Sequence, residues 1–150
     1  MTSSLSMQGC TDIGQRSQNE DCHLADPDLG LAVVADGMGG HAAGEVAASM
    51  VIDTLRADTA AGHGLESCLR HAHRAVVDAA DTAERANMGA AVVAARLQGY
   101  EYEICWVGDC RAYLWNGELL QLTRDHSYVE TLLSDGQISW EEAQNHAARN

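Results

Sequence analysis

The sequence contains no lysine, so its nine basic side chains are all arginines. The formal net charge is −13. A nucleic-acid surface needs a basic stripe, which this composition does not supply. A P-loop ends in a lysine followed by serine or threonine, so that kind of nucleotide site is excluded as well. The acidic balance is typical of a solvated surface or of a site that binds cations.

Long hydrophobic runs are also missing. No stretch approaches the ~18–20 apolar residues that span a bilayer. Residues 1–6 lack a basic region followed by an apolar one, so no signal peptide is expected. The 150 residues are enough for one domain with a core of its own. We therefore expect one cytoplasmic domain that does not bind membranes.

Sequence patterns for disulfides and for metals bound through nitrogen or sulfur are weak. The five cysteines, at positions 10, 22, 68, 105 and 110, are odd in number and form no C-x-x-C pair. We interpret most of them as small buried hydrophobes. Cys110 follows Asp109, and a catalytic thiol is considered there, but no histidine lies nearby in the sequence to support it. His71 and His73 lie two apart on a predicted helix and point in different directions, so we interpret them as surface residues.

Hydrophobic periodicity predicts strands, then a block of helices, then strands again. The predicted strands are residues 5–12, 22–24, 31–35, 90–97, 100–107, 111–115 and 119–123. The predicted helices are residues 44–58 and 65–85, with further helical segments in residues 126–150. Ser139 and Glu142 have the spacing of a capping box. Tight turns between consecutive strands indicate antiparallel pairing, so the fold class is α+β with helices packed on a sheet.

One stretch, residues 31–45, carries Asp36 from a buried strand into a glycine-rich turn that leads into a helix. Such a turn lets the backbone approach a ligand. It lacks the last glycine of G-x-G-x-x-G, so a dinucleotide site is not predicted. The short turn at residues 26–30 predicts a hairpin that brings Glu20 and Asp21 to the same end of the sheet as Asp36. On sequence chemistry alone, Glu20 and Asp21 are more simply interpreted as two surface acids.

Four acids lie at predicted strand ends or turns: Glu20, Asp21, Asp36 and Asp109. Clustered carboxylates favour hard divalent cations such as Mg²⁺ or Mn²⁺. Arg16 would add a bidentate fork for phosphate oxygens. Together these residues suggest metal-assisted hydrolysis of a phosphate ester. His41, in the glycine turn, is interpreted equally well as a proton donor or as a plain loop residue.

Four motifs in this order resemble the bacterial form of the metal-dependent protein phosphatases of type 2C. They are Arg16-x-x-Asn19-Glu20-Asp21, Ala35-Asp36-Gly37-Met38-Gly39-Gly40-His41-x-x-Gly44-Glu45, Val107-Gly108-Asp109-Cys110-Arg111-Ala112-Tyr113-Leu114 and Leu122-Thr123-x-Asp125-His126-Ser127. The resemblance implies an antiparallel β-sandwich flanked by helices, in α-β-β-α layers, over residues 1–150. It also implies that residues 134–150 correspond to the mobile flap of the family.

The resemblance further implies hydrolysis of phosphoserine and phosphothreonine in proteins by a metal-bound hydroxide. Two core Mn²⁺ or Mg²⁺ ions are expected, with a third near Asp109. Asp36 would bridge the core ions, Gly37 would bind through its carbonyl, and Glu20 and Asp21 would hold metal-bound waters. Arg16 would bind the substrate phosphate. The implied partners are phosphoproteins made by a Ser/Thr kinase.

The chain departs from the family pattern at several positions. Ala90 and Ala91 stand where two threonines are usual, and Cys110 stands where serine is usual. In one form of the family a histidine proposed as the general acid directly follows Asp-Gly. Here Met38 occupies that position, and His41 lies three residues further on.

The largest departure is at the end of the sequence. Family members continue past the flap with two more metal-binding aspartates, whereas this sequence ends at Asn150. We therefore expect a sandwich without its C-terminal strands and one core ion with few protein ligands. Two explanations stay open: the sequence is a fragment of a whole phosphatase domain, or it is a truncated, catalytically inactive phosphatase-like module that binds phosphoproteins or another partner.

Overall fold

The structure, a computed structural model, describes residues 5–39, 42–80 and 87–146. Its elements are β1 (Asp21–Asp26), β2 (Leu31–Met38), α1 (Ala43–Ala60), α2 (Leu65–Ala79), β3 (Gly89–Gln98), β4 (Glu101–Val107), β5 (Tyr113–Trp115), β6 (Leu119–Gln121), α3 (Tyr128–Ser134) and α4 (Trp140–Gln144). The pair of helices between two groups of strands confirms the predicted α+β class.

Strands β1 to β4 form one antiparallel sheet in sequence order. Along β2, Leu31, Val33 and Ala35 are buried, whereas Val34 and Asp36 are exposed. Because side chains alternate across a strand, the apolar residues of β2 face the helices and Asp36 faces away from them. The sheet therefore presents Asp36 on its helix-free face.

The β1–β2 hairpin has the predicted tight turn. The Leu29 N–H donates to the Asp26 carboxylate over 3.1 Å. Gly30 has φ +64°, which favours glycine, and a Cβ there would lie 2.2 Å from the Leu97 carbonyl oxygen of β3. This turn and the buried face of β2 fix the register, since a slip by one residue would turn every core side chain of β2 outward.

Helix α1 lies on β1, β2 and β3, and α2 packs beside it on the same face of the sheet, towards β4. Ala47, Val51 and Leu55 of α1 are buried at four-residue spacing. The buried residues of α2 follow the same periodicity: Leu65, Cys68, Ala72 and Val76. The core is thus the layer between this helix pair and the sheet.

A second, two-stranded sheet consists of β5 and β6. Among the described elements, these strands contact only each other. Trp115 and Leu119 are 70% and 66% exposed. Among the described residues, the second sheet of the expected sandwich is therefore represented by two strands.

The predicted strand at residues 5–12 is wrong, because the structure shows no strand pairing there. The segment instead packs on the helix-free face of the sheet, where a Cβ at Gly9 would lie 2.1 Å from the His23 ring. The ends of β5 and β6 are shorter than predicted because Thr123 Oγ1, rather than a backbone carbonyl, accepts the Ala112 N–H over 3.0 Å. The end of the predicted second helix, at residues 81–85, lies outside the described residues.

Two short helices follow β6. Ser127 accepts a hydrogen bond from the Glu130 N–H at the start of α3, and Ser139 with Glu142 forms the predicted capping box at the start of α4. Gly136, with φ +68°, separates the two helices. In the described part of the chain, α3 and α4 contact each other and no other element.

No helix in the described ranges is both long and apolar enough to cross a membrane. This finding agrees with the lack of long hydrophobic runs in the sequence.

The position of Leu55 predicts a large effect of truncating its side chain. Leu55 is fully buried in the core. We expect Leu55→Ala to lower the free energy of unfolding by about 2–5 kcal/mol, because it removes buried apolar surface and leaves a cavity. Leu119→Ala is the matched control, and its effect should stay within about 0.5 kcal/mol. Urea unfolding followed by circular dichroism measures both, and equal losses would contradict the assignment of the core.

Candidate metal centre

Two carboxylates face each other across the first hairpin. In the antiparallel register, Asp21 of β1 pairs directly with Asp36 of β2. Like charges directly opposite each other on neighbouring strands destabilise a sheet. The predicted meeting of these two acids at one end of the sheet is thereby confirmed. A pair that costs stability in the folded chain is a candidate for function.

Glu20 lies next to this pair because two glycines let the backbone come close. The Gly37 N–H donates to the Glu20 carbonyl over 3.2 Å. A Cβ at Gly37 would lie 2.1 Å from the Gly44 carbonyl oxygen, and a Cβ at Gly44 would lie 2.5 Å from the Glu20 carboxylate. The Glu20 carboxylate therefore packs on the first turn of α1, where the helix dipole favours a negative charge.

Asp109 reaches the same place through a turn that only glycine can make. Gly108 has φ +93°, and a Cβ there would lie 2.6 Å from the Cβ of Ala91. Ala91 is the β3 residue paired with Asp36. The turn after β4 therefore folds back over β3, next to Asp36.

A bracket of hydrogen bonds holds this turn. Arg111 donates two hydrogen bonds to the Asp125 carboxylate, over 2.8 and 2.5 Å. The His126 N–H donates to the Gly108 carbonyl over 2.9 Å, and the Trp106 indole N–H donates to the Arg124 carbonyl over 2.7 Å. The segment of the third motif, residues 107–114, is thus hydrogen-bonded to that of the fourth motif, residues 122–127, and this pairing positions Asp109.

The acids interact electrostatically as one group. Partial burial raises the pKa of Asp36, and the charges of Asp21 and Asp109 and a hydrogen bond to Asp21 raise it further. Arg16 acts on Asp36 in the opposite direction, so its guanidinium belongs to the same cluster. All the acidic donors are oxygens, which is the donor set that Mg²⁺ and Mn²⁺ prefer. A divalent cation would also relieve the repulsion among the carboxylates, so the residues present fit such an ion.

Cys110 lies among these carboxylates as a neutral thiol. Burial raises its pKa to about 11, and the charges of Asp36, Asp109 and Asp21 act in the same direction. A thiol is nucleophilic as its thiolate, which is scarce at neutral pH when the pKa is this high. The structure therefore argues against the sequence hypothesis of a catalytic thiol.

Of the residues predicted for the site, Asp36, Asp21, Asp109 and Arg16 form one electrostatic cluster, with Glu20 and Gly37 packed beside it. His41 lies outside the described residues. The sequence reasoning assigned no role to Gly44 or to the Arg111–Asp125 pair. Both lie in motifs that the sequence displays, but their roles follow only from which segments touch.

The cluster lies outside one large groove in the described part of the chain. That groove, of about 1030 Å³, runs between α2 and β4 and is lined by residues that include Leu69, Val76 and Trp106. The acids instead occupy the end of the sheet, where Asp21, Asp36 and Asp109 are solvent-exposed. A large substrate therefore has open access to them.

Comparisons with known proteins follow the same motifs. The sequence model of the family described as "Protein phosphatase 2C" matches residues 5–131. The serine/threonine phosphatase Stp of Listeria welshimeri is 40% identical over 132 residues, which are 80% of this chain and 52% of that protein. The serine/threonine protein phosphatase PstP of Mycobacterium tuberculosis is 36% identical over 143 residues, which are 90% of this chain and 27% of that protein.

A solved structure agrees with the sequence matches. The catalytic domain of PstP, crystallised in complex with two manganese ions, superimposes with a TM-score of 0.76 at 36% identity. The match covers 85% of this chain and 58% of that domain. The chain thus spans about a quarter to a half of the length of these curated relatives. Because the family model covers most of the sequence and the solved structure shares its fold, the chain belongs to the protein phosphatase 2C family.

Proposed function

We propose that this chain carries the acidic centre of a metal-dependent phosphatase for phosphoserine and phosphothreonine in proteins. The observation that supports it best is the Asp21–Asp36 pair, with Asp109 folded against it by the Gly108 turn. Three carboxylates on separate segments lie near one another at one end of the sheet, although their mutual repulsion is destabilising. The related PstP domain was crystallised with two manganese ions, which supports the same use here.

We propose that Asp36 and the Gly37 carbonyl bind two Mn²⁺ or Mg²⁺ ions directly, with Glu20 and Asp21 holding coordinated waters. Asp109 is proposed to serve an accessory third ion. When bound, such ions supply Lewis acidity and an activated water for attack on phosphorus. The rigid β1–β2 register and the glycine contacts hold the ligands in place before an ion binds, which lowers the cost of binding.

Arg16 is proposed to bind the phosphate of the substrate. Its guanidinium is a planar fork that matches two phosphate oxygens. Its guanidinium lowers the pKa of Asp36, which supports a position near the acids. Cys110 is not proposed as a nucleophile, and the attacking group would be a water molecule. His41 as a proton donor stays a prediction.

We propose that the substrates are proteins phosphorylated by a Ser/Thr kinase, since the acids are exposed and a folded protein can reach them. Residues 134–150 are proposed to act as a flap beside the site. The cytoplasm is proposed as the compartment because all five thiols are free, the state that a reducing environment maintains.

One observation favours a second candidate, an inactive module that binds phosphoproteins. Ala91 pairs with Asp36 and Ala90 pairs with Gly37, so methyl groups flank the centre where the resemblance implies two hydroxyls. Without those hydroxyls, the site loses two hydrogen-bonding groups near the proposed waters. If those hydroxyls are essential for catalysis, the chain would bind phosphoproteins without hydrolysing them.

The proposed activity first predicts turnover that depends on manganese. We expect the chain to hydrolyse an aryl phosphate and a phosphothreonine peptide in Mn²⁺, and to stop in chelator. Asp36→Ala should lower kcat/KM by roughly 10–100-fold or more, because it removes a metal-binding oxygen. Asp28→Ala, in an exposed turn, is the matched control and should retain activity.

Phosphate release and intrinsic fluorescence, measured together, separate the two candidates. Folded chain that binds the phosphothreonine peptide in Mn²⁺ without releasing phosphate would contradict the enzyme and support the binding module. Folded chain that does neither would exclude both.

The second prediction concerns stability without metal. Burial and neighbouring charges raise the pKa of Asp36 in the folded chain above its value in the unfolded chain. The protonated Asp36 side chain therefore contributes stability that is fully present below the unfolded pKa. This stability is lost as the pH rises through the folded pKa. The Asn side chain does not ionise, so the Asp36→Asn variant does not lose this stability as the pH rises. In chelator at neutral pH, the variant should therefore unfold at a higher Tm than the wild type, by roughly 2–4 °C for each kcal/mol regained.

Thermal unfolding across pH measures this difference, which should shrink in acid below the unfolded pKa. Asp28→Asn serves as control. Added Mn²⁺ should raise the Tm of the wild type much more than that of Asp36→Asn, because ligands stabilise the state that binds them. An Asp36→Asn variant that is less stable than the wild type in chelator at neutral pH would contradict the claim that ionised Asp36 is repelled by the neighbouring carboxylates.

The third prediction concerns Cys110. We expect Cys110→Ser to leave kcat within about twofold, because the thiol is protonated at neutral pH and no step uses a thiolate. Serine also keeps a polar group of similar size at this position. Turnover of an aryl phosphate in Mn²⁺ measures the effect, and a loss comparable to that of Asp36→Ala would restore Cys110 as a catalytic residue.

A further inference from the structure

A second group of metal-ligand side chains lies at the opposite end of α1 from the acidic centre. Asp58 is near the end of α1, His63 is in the loop that follows, and His71 is on α2. One potential ligand atom from each residue lies within 4.8 Å of the other two. At 1.5 Å per residue, Asp58 is about 21 Å along α1 from Gly44. This group is therefore independent of the acids at the end of the sheet.

We propose that Asp58, His63 and His71 bind a Zn²⁺ ion that links α1, its following loop and α2. This inference goes beyond the proposed phosphatase function and does not rest on it. Two imidazole nitrogens with one carboxylate oxygen form a donor set that suits zinc, whereas Mg²⁺ and Mn²⁺ prefer oxygen ligands alone. Three protein ligands leave the fourth tetrahedral position to water.

The distances fit a small adjustment on binding. The Nδ1 atom of His71 lies 2.6 Å from Asp58 Oδ2, and the Nδ1 atom of His63 lies 3.8 Å from Asp58 Oδ1. Ligand atoms at about 2.0–2.1 Å from a tetrahedral zinc ion lie about 3.3 Å apart. One distance is shorter than this value and the other is longer. The two distances run to different oxygens of Asp58, so side-chain rotations would bring one of these oxygens and the two nitrogens to a common ion.

Hydrogen bonds fix the backbone around His63. Its N–H donates to the Asp58 carbonyl over 3.0 Å. Its carbonyl accepts from Arg96 Nη1 over 3.1 Å and from the Cys68 thiol over 3.8 Å. Outer contacts of this kind orient metal ligands and lower the cost of ordering them. The loop that carries His63 is thus held in place by α1, α2 and β3 together.

The ligands are also accessible to an ion from solvent. The side chains of His63 and His71 are 48% and 43% exposed, and that of Asp58 is 21% exposed. The simpler interpretation is a hydrogen bond between Asp58 and His71 that joins the two helices, with His63 nearby by coincidence. That interpretation predicts no role for His63, which distinguishes it from a zinc site.

Calorimetric titration of the chain with Zn²⁺, in excess Mg²⁺ to fill the oxygen-only sites, tests the proposal. We expect one Zn²⁺ per chain, and a loss of affinity of more than about tenfold in both His63→Gln and His71→Gln, since even outer-contact changes cost that much. His73→Gln, exposed on the same helix and outside the group, is the matched control. Asp36→Asn should also keep its Zn²⁺ affinity. Failure of the zinc proposal can therefore be distinguished from failure of the phosphatase proposal.

Two further readouts do not depend on activity. Co²⁺ in place of Zn²⁺ should give the visible absorption of a tetrahedral site in the wild type and in His73→Gln, but not in His63→Gln. At about 100 times Kd, Zn²⁺ should raise the Tm by roughly 5–10 °C. Folded wild type without Zn²⁺ binding, or equal binding by His63→Gln and wild type, would overturn the proposal. His63→Gln decides the question if His71→Gln fails to fold, because His63 lies in a loop.

Discussion

The opposition of Asp21 and Asp36 across the first hairpin is the constraint on which the centre depends. The pair exists because the β1–β2 register places two carboxylates directly opposite each other on the helix-free face. The same register buries the apolar half of β2 against α1. A slip by one residue would exchange the two faces and bury Asp36 in the core. Core packing therefore holds two like charges together against their repulsion.

Small residues allow the other acids to join this pair. Gly37 and Gly44 let α1 approach the end of β2, which places Glu20 at the first turn of a long helix. Gly108 lets the turn after β4 approach Ala91, which places Asp109 beside Asp36. A side chain at any of these glycines would meet atoms closer than van der Waals contact allows. The glycines thus act through close backbone approach, and only Gly108 is also required by its φ angle.

The sequence predicted features that depend on local patterns. The β1–β2 hairpin follows from a buried run and a tight turn, so the meeting of Asp21 and Asp36 could be predicted without the structure. The placement of residues 5–12 could not, because strand formation requires a partner that local sequence does not identify. The group at Asp58 and His63 was missed for a related reason. Its members belong to different elements, and only the packing of α2 on α1 brings His71 to them.

The two ends of α1 offer different chemistry, and their separation limits how they interact. The N-terminal end meets a group of carboxylates, whereas the C-terminal end meets two imidazoles and one carboxylate. The distance of about 21 Å along the helix exceeds the Debye length of about 8 Å at physiological ionic strength. The charge of an ion near Asp58 is therefore largely screened at Asp36. Its effect on the acidic centre would have to pass through the stability of the helix pair, since α1 packs against β2 along the same face that sets the hairpin register.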